Sequence, residues 1–431
     1  MGPSSSDQNT LQHLSTDLSN RVTELVAQLK KDGSKLPTHG ATSTFQLPEF
    51  KSQNPEIQKS RYAILDSLME LQRIILGPFE YIKTLLNHSH QQPLDIGALR
   101  AVVNLNIQHA VPKEESISFS DLARETKIDE DLLTRILRYS VSIGIFSESP
   151  VGYVRHTATS KALTEEALAN VVKWCADIQV QSDLRLYEAM DPSRPSSAIP
   201  KVPFNIAYDT PLGMWDYHAK DKHLEALFSA NVATEFGSAE MSPEHLTMGY
   251  SWDKLGSGTV IDVGGSSGHV SKAIARLYPN LHFIVQDLPD TIDRVKSDIP
   301  TDLNGRLTFQ GHDFFTPQDT AADAYFFRYI LHNWAEDDVV RIIQNLKPRL
   351  ENGSTLLVNE YVSNADAATA SMEDKIYRER DVQMFALLNS KERTVEDYQR
   401  IVARAEPGFK FCGITTAPGH GMVLLEWVYS E

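Results

Sequence analysis

The chain has 431 residues, of which 41% are hydrophobic and 23% are charged. This length exceeds what one ordinary core organises, so we expect a folded globular protein with two domains. The net charge of −16 would repel a phosphate backbone, and no run approaches the ~18 apolar residues that a membrane span needs, which argues against nucleic-acid and membrane partners.

The N-terminus predicts no targeting signal. Its first ten residues contain neither a basic cluster before an apolar stretch nor an Arg-rich amphipathic pattern, so the cytoplasm is the expected location. Cys175 and Cys412 stand far apart without metal-ligand spacing. We therefore expect two reduced cysteines in the core and no metal site.

Residues 1–55 are predicted to be an extension that consists of a helix and a linker. Apolar residues from Leu11 to Leu29 recur at helical spacing and form one stripe, which needs a packing partner. From residue 30 to 45, Gly, Pro, Ser and Thr occur without periodicity, as is typical of a linker.

Residues 56–205 are predicted to form a mainly helical domain. Apolar residues from 56 to 100 are too numerous for a solvated helix face, which predicts burial. The stretch from Ser118 to Lys161 has the pattern helix, turn, helix and two short strands, which is typical of a winged helix. The acids of KIDEDLL would face phosphates, so we expect a module for dimerisation or for closing over a substrate rather than a DNA reader.

Residues 206–431 are predicted to form a second domain of the α/β class. Past Trp252, apolar strands alternate with amphipathic helices, which indicates a parallel sheet covered by helices on both faces. Residues 409–429 have the pattern of two antiparallel strands joined by a turn that contains Pro and Gly. We expect this hairpin to close the sheet.

A glycine-rich turn follows the first strand of that domain, in the segment IDVGGSSGH. Gly264 and Gly265 would let the backbone approach a ligand, and Asp262 could hold an ammonium group. The spacing is not that of a dinucleotide fingerprint, because Ser266 stands where its second glycine would be.

Two further strands end in carboxylates that suit a nucleoside. Asp287, followed by Leu288, lies where an acid meets ribose hydroxyls, and this position fits either S-adenosylmethionine or NAD. Asp313 and Phe314 in GHDFF offer a carboxylate and an aromatic wall for adenine. The closing hairpin favours S-adenosylmethionine, because class I methyltransferases end in this way and NAD-binding Rossmann domains do not.

Three candidate catalytic residues lie further along the chain. His332, in FFRYILHNW, and Glu360, in STLLVNEYV, follow or end neighbouring strands at the functional rim of the predicted sheet. Glu392 stands just before a helix that begins RTVED.

Together these segments resemble the plant-type, COMT-like family of small-molecule O-methyltransferases, particularly its fungal branch that acts on aromatic natural products. The markers are IDVGGSSGH, QDLP, GHDFF, RYILHNW and NSKERT, in that order, and the resemblance covers residue 56 to the end. It implies a Rossmann-like class I methyltransferase domain, an N-terminal dimerisation domain and a homodimer. It also implies that His332 is the general base, flanked by Glu360 and Glu392, and that S-adenosylmethionine is held by Gly264, Asp287, Asp313, Phe314 and Arg328.

The implied chemistry is consistent with these residue types. A neutral imidazole of pKa ~6.5 can remove the proton of a phenol while the oxygen attacks the sulfonium methyl, leaving S-adenosylhomocysteine. Neighbouring carboxylates would fix the imidazole tautomer and stabilise the imidazolium. No metal is required, because the methyl donor already carries a positive charge.

The chain departs from the plant pattern at two positions. Asn333 stands where plant members often have Asp, so any role for an acid there is lost, and Arg328 stands where many have Lys. Candidates to line the pocket of an aromatic acceptor are Trp334, Met384, Phe385 and Asn389.

Two other functions stay open from the sequence. One is an NAD-dependent oxidoreductase, although the chain lacks the proper dinucleotide fingerprint of that class. The other is a non-catalytic methyltransferase-like regulator or scaffold, although such a protein would not need the three catalytic candidates. The long apolar N-terminal helices predict an interlocked dimer, since a monomer would expose them. The acceptor could be a flavonoid, an anthraquinone, a xanthone or another aromatic polyketide.

Overall fold

The computed structural model describes residues 5–33, 36, 55–193, 200–236, 244–362, 371–416 and 422–431. Its contacts divide the chain into two units. The first, here called the helical unit, comprises Met1–Tyr187, Phe204–Ala239 and Ala370–Glu373. The second, the sheet unit, comprises Glu188–Pro203, Glu240–Thr369 and Asp374–Glu431.

Two long helices begin the helical unit: α1 (Ser5–Lys31) and α2 (Pro55–Asn104). They pack against each other, so the predicted N-terminal helix has its partner. A kink interrupts α2 at Gly77, where φ is 65° and ψ is 171°, directly before Pro78. Most of the predicted linker lies outside the described residues.

The predicted burial of residues 56–100 is wrong for part of α2 within the single chain. Ile75 is 70% exposed and Phe79 is 76% exposed, while Leu68 and Ile82 are also exposed on α2. Leu68 and Ile75 precede the kink at Gly77, and Phe79 and Ile82 follow it, so each pair belongs to its own helical segment. The apolar pattern therefore includes side chains that the described residues leave exposed.

The winged-helix pattern is confirmed. After α3 (Ile107–Ala110) come β1 (Ile117–Ser118), α4 (Phe119–Thr126), α5 (Glu130–Ser142), β2 (Phe146–Glu148) and β3 (Tyr153–His156). The strands form a sheet of order β1-β3-β2. Side chains of Ser118 and Asp129 cap α4 and α5, and Leu122, Leu137 and Val154 lie in a shared core.

Shorter helices follow β3 along the chain. They are α6 (Ala158–Ala162), α7 (Glu166–Trp174), α8 (Val180–Asp183), α9 (Leu186–Met190), α10 (Pro203–Ala207), α11 (Met214–His218) and α12 (Lys222–Phe236). A π-helix at Cys175–Gln179 joins α7 to α8. Because α12 packs against α7, the contacts place Phe204–Ala239 in the helical unit, whereas the sequence predicts a domain boundary between residues 205 and 206.

The sheet unit alternates strands and helices. They are α13 (Glu244–Gly249), β4 (Thr259–Val263), α14 (His269–Leu277), β5 (His282–Asp287), α15 (Pro289–Val295), β6 (Leu307–Gly311), β7 (Ala324–Arg328), α16 (Glu336–Gln344), β8 (Thr355–Tyr361), α17 (Met372–Leu388), α18 (Val395–Ala405), β9 (Phe409–Thr416) and β10 (Met422–Tyr429). The strand order is β6-β5-β4-β7-β8-β10-β9. The first five strands are parallel, and β10 is antiparallel to both neighbours, as predicted for the closing hairpin.

The sheet has a core on each face. Ile261 and Val263 of β4 belong to a cluster that includes residues of α16 and α18, while Val260 belongs to a second cluster with Val270 and Ile274 of α14. Successive strand residues point to opposite faces, so continuous apolar strands indicate burial on both sides. Strands β4 to β8 end at the same edge, which we call the carboxyl rim.

The expected burial of both cysteines is wrong. Cys412 is exposed because β9 is an edge strand, and Cys175 is partly exposed in the π-helix. Both are free thiols. Within the described ranges, no helix is long and apolar enough to cross a membrane.

Candidate active site

The glycine turn after β4 needs its glycines for space. At Gly264, where φ is +76°, an added Cβ would lie 2.6 Å from Ile330 Cδ1. At Gly265, an added Cβ would lie 2.6 Å from Asp262 Oδ2. The turn therefore needs both glycines in order to pack against Ile330 and Asp262.

Asp287 is held beside this turn. Its Oδ2 accepts the N–H of Ser266 at 2.9 Å, and its Oδ1 accepts the N–H of Leu288 at 2.8 Å. Burial raises the pKa of Asp287 despite these bonds. Leu288 itself is exposed at the rim.

Asp262 and Arg328 are buried charges behind the turn. Asp262 accepts a hydrogen bond from Ser271 Oγ at 2.6 Å, and burial raises its pKa to about 6. Arg328 Nε donates to Asn359 Oδ1 at 3.0 Å, and burial lowers the pKa of this guanidinium to about 10, against the opposing field of Asp262. The two charges attract each other in a setting of low dielectric.

An aromatic wall stands after β6. Asp313 accepts the N–H of Phe315 at 2.9 Å, and the Phe314 and Phe315 rings meet the Trp334 ring edge-on, with centroids 5.7 and 4.7 Å away. Trp334, a candidate for the acceptor pocket, therefore packs against the residues proposed for adenine.

His332 and Glu392 form a buried pair. His332 lies in a single turn after β7, and its Nδ1 is 2.9 Å from Glu392 Oε1, with both side chains 0% exposed. A carboxylate only accepts, so the hydrogen-bond network assigns the proton to Nδ1 and leaves a lone pair on Nε2. Among the described residues, His332 Nε2 has no hydrogen-bond partner.

Charge, not solvent, sets the basicity of this imidazole. Burial alone would lower the pKa of His332, but the carboxylates of Glu392 and Glu360 outweigh it and raise that pKa above its usual value. Glu360 does not bond the imidazole. Its Oε1 accepts the N–H groups of Ile330 and Leu331 at 2.9 and 2.8 Å, so it holds the His332 turn.

Three side chains that the sequence did not single out complete the support. Arg393, 1% exposed, donates to the carbonyls of Leu331 and Trp334 at 2.8 and 2.6 Å. Ser390 Oγ lies 2.6 Å from the His332 carbonyl, and Asp381 accepts the N–H of Glu392 at 2.9 Å. Ser390 and Arg393 lie in the NSKERT marker, which is the only feature of the sequence that could have pointed to them.

The other acceptor candidates lie at the end of α17. Met384 and Phe385 are partly buried, and Asn389 is exposed with a φ of 54°. The next residue is tied back to the helix, since the N–H of Ser390 donates to the Met384 carbonyl at 3.1 Å. Through Ser390, this segment is anchored to the His332 turn.

Two families of known proteins match this chain. A family described as the O-methyltransferase domain matches residues 186–410, and one described as the O-methyltransferase dimerisation domain matches residues 94–166. The chain belongs to the O-methyltransferase family. The methyltransferase is 32% identical to O-methyltransferase kk1A of Curvularia clavata, over 94% of this chain and 97% of that protein. It is 30% identical to O-methyltransferase pgmB of Aspergillus terreus, over 86% of this chain and 85% of that protein.

Solved structures share the fold. A crystal structure of OxaC superimposes with a TM-score of 0.74 at 21% identity, covering 97% of the methyltransferase and 100% of that chain. A structure of LepI in complex with SAM gives a TM-score of 0.70 at 22% identity, covering 86% and 95%. The methyltransferase thus has the Rossmann-like fold predicted.

The family and the cofactor follow from these similarities. The methyltransferase is of the plant-type, COMT-like family, in its fungal natural-product branch, and it uses S-adenosylmethionine. Its dimerisation domain supports a homodimer. Over the part of the chain that the structure describes, no three His, Cys, Asp or Glu residues are grouped as metal ligands.

Proposed function

We propose that the methyltransferase methylates a phenolic hydroxyl of an aromatic small molecule and that His332 is the general base. The observation that carries this proposal is the lone pair of His332 Nε2, which is buried without a partner among the described residues while Nδ1 is fixed by Glu392. A buried polar atom without a partner is costly. A hydroxyl of the acceptor would satisfy it and would be held where its proton can be removed.

The residues at the carboxyl rim fit S-adenosylmethionine. The turn at Gly264 and Gly265 has no side chains, which lets a ligand approach its backbone. We propose that Asp262 attracts the ammonium group, Asp287 binds the ribose hydroxyls, and the remaining contacts come from Leu288, Asp313, Phe314, Arg328 and Trp334. When bound, the cofactor supplies an electrophilic methyl group on a sulfonium cation.

The protein supplies the proton acceptor, His332, and the charges that stabilise its protonated form. As Nε2 takes the phenolic proton, the imidazole becomes a cation. Glu392 contacts that cation directly, and Glu360 acts on it through space. Because these charges are already oriented in a buried site, they stabilise the imidazolium without reorganisation.

In the sheet unit, Met384, Phe385 and Asn389 stay candidates to line the pocket of the acceptor.

Calorimetry with S-adenosylmethionine, S-adenosylhomocysteine and NADH tests the cofactor, and a panel of hydroxylated anthraquinones, xanthones and flavonoids tests the reaction. We expect binding of the first two ligands only, and methylation of at least one phenol. His332→Ala should abolish turnover with little change in S-adenosylmethionine affinity. The matched control is His282→Ala, which removes an exposed imidazole at the opposite end of β5. Cofactor binding without turnover on any phenol would instead favour a regulatory or scaffold protein.

We also propose that the homodimer buries the α2 stripe of Leu68, Ile75, Phe79 and Ile82. A monomer rarely exposes so many large apolar side chains along one short segment. A second copy could cover them through a two-fold axis.

A further inference from the structure

We propose that Tyr329 is a positioning residue, which orients the His332 imidazole and stabilises its protonated form through the face of the phenol ring. The inference rests on the proposed role of His332 as the base. Tyr329 is the residue directly after β7 and lies in the RYILHNW marker, but it makes no hydrogen bond to the imidazole that would draw attention to it.

The backbone of Tyr329 is strained. Its φ is 57°, a left-handed conformation that a bulky side chain rarely adopts. Both sides of the residue are fixed, because its N–H donates to the Asn359 carbonyl at 3.0 Å and its carbonyl accepts from Asn333 Nδ2 at 3.2 Å. Strain of this kind persists where the surroundings impose it, often at functional sites.

The strained backbone lays the ring against the imidazole. The Tyr329 and His332 centroids are 4.0 Å apart, with the planes at 46°. Tyr361 contacts the Tyr329 ring edge-on at 6.0 Å, and the guanidinium of Arg380 lies 4.1 Å from the centroid of the Tyr361 ring. With Glu392 on Nδ1 and the tilted Tyr329 ring in contact with it, the imidazole cannot rotate freely.

The same contact has an electrostatic effect. An aromatic face attracts a cation within ~6 Å of the ring centroid, so Tyr329 favours imidazolium over imidazole. The other groups that act on His332 are Glu392 and Glu360, which favour the cation, and Arg393, which opposes it. Removal of the ring should therefore lower the pKa of His332 and weaken the base.

Asn333 acquires a role from this geometry. The plant pattern often has Asp at this position, and a carboxylate could not donate to the Tyr329 carbonyl. The amide of Asn333 does donate to it, so Asn333 supports the strained peptide. Asn333 and Tyr329 are therefore linked by this hydrogen bond.

Three variants test the proposal: Tyr329→Leu removes the ring, Tyr329→Phe keeps the ring without its hydroxyl, and Asn333→Ala removes the backbone clamp. We expect Tyr329→Leu to lower kcat by about 3- to 30-fold and to leave the Kd of S-adenosylmethionine unchanged. The acid limb of kcat should move to lower pH. Tyr329→Phe keeps the ring, so the acid limb of kcat should stay at the same pH.

An NMR titration of His332 gives a readout that does not require turnover. The resonance is assigned by its loss in His332→Ala, and all titrations use protein saturated with S-adenosylhomocysteine. We expect the pKa of His332 to fall in Tyr329→Leu and to stay the same in Tyr329→Phe. If no phenol is methylated by the unchanged protein, the proposed function fails, but this titration still tests the contact.

Two results would overturn the inference. One is an unchanged His332 pKa in Tyr329→Leu, and the other is an equal fall of that pKa in Tyr329→Phe and Tyr329→Leu. Should Tyr329→Leu fold poorly, Asn333→Ala should shift the pKa in the same direction by a smaller amount, and no shift there would refute the coupling. Where both fold, the double variant should be non-additive, because the two residues act through one contact.

Discussion

Replacement of Glu392 by Gln probes the buried pair most directly. Glu392→Gln keeps the size of the side chain and an oxygen that can accept from His332 Nδ1, but it removes the charge. The bond at 2.9 Å lies between two side chains that are 0% exposed, so solvent does not screen the interaction. The variant therefore isolates the electrostatic part of the pair.

The expected loss follows from Coulomb's law. Two unit charges about 4 Å apart, at an effective dielectric constant of about 20, attract each other by about 4 kcal/mol. Glu360 still acts on His332, and the amide oxygen keeps the hydrogen bond. We therefore expect a loss of about 3 kcal/mol in the stabilisation of the imidazolium, or about 100-fold in kcat.

The pH dependence carries a sign that can be checked. Only neutral His332 can accept a proton, so the rate of the unchanged protein should fall as the pH drops through the raised pKa of His332. Without the charge of Glu392, that pKa should fall and the acid limb of kcat should move to lower pH.

The assay is initial-rate methylation of the best phenol across the pH range, with Glu396→Gln as the control. Glu396 is an exposed acid in the first turn of α18, so its loss should change little. A Glu392→Gln variant with an unchanged rate and an unmoved acid limb would refute the electrostatic reasoning.

Three other perturbations test the cofactor site and the dimer. Gly264→Ala should weaken S-adenosylmethionine binding, because its Cβ would lie 2.6 Å from the end of the Ile330 side chain, which must then shift. Gly305→Ala, at a similar φ of +80° with open space, should cost only about 1 kcal/mol of unfolding free energy. Calorimetry and thermal unfolding compare the two variants, and equal effects would contradict the steric argument. Affinity for S-adenosylmethionine should decline as the pH falls through about 6, because Asp262 is then neutral and no longer attracts the ammonium group. Asp262→Asn should bind the cofactor weakly and without this pH dependence. A strong pH effect in the variant would assign the titration to another group. Phe79→Asp should yield monomers in sedimentation at micromolar concentration, since it puts a charge on the exposed stripe of α2, and an unchanged dimer would exclude this stripe from the interface.

The fold was predictable where local pattern carries the information. The parallel strands read as continuous apolar runs because both faces are buried, and all seven residues of β8 are buried as that pattern requires. Since parallel strands end at one rim, the sequence could bring Gly264, Asp287 and His332 to the same edge without knowledge of their contacts. The α2 stripe was misjudged because periodicity reports apolarity and not which chain covers it.

The supporting contacts of the site were not predictable in the same way. Arg393 meets the Leu331 carbonyl across 62 positions in sequence, and Ser390 meets the His332 carbonyl across 58. A buried arginine that binds backbone carbonyls leaves no periodic trace. The φ of Tyr329 is equally hidden, because a tyrosine gives no sign that its backbone will be left-handed.

The pairing of β8 with β10 has a consequence for biosynthesis. Asn359 of β8 donates to the Val423 carbonyl of β10, and the two residues are 64 positions apart. Until β10 leaves the ribosome, the strand that carries Glu360 has an open edge, and such edges recruit other strands. A message truncated after β9 should therefore produce aggregates rather than a weakened enzyme, and chaperone demand should be greatest during synthesis of the segment between these two strands.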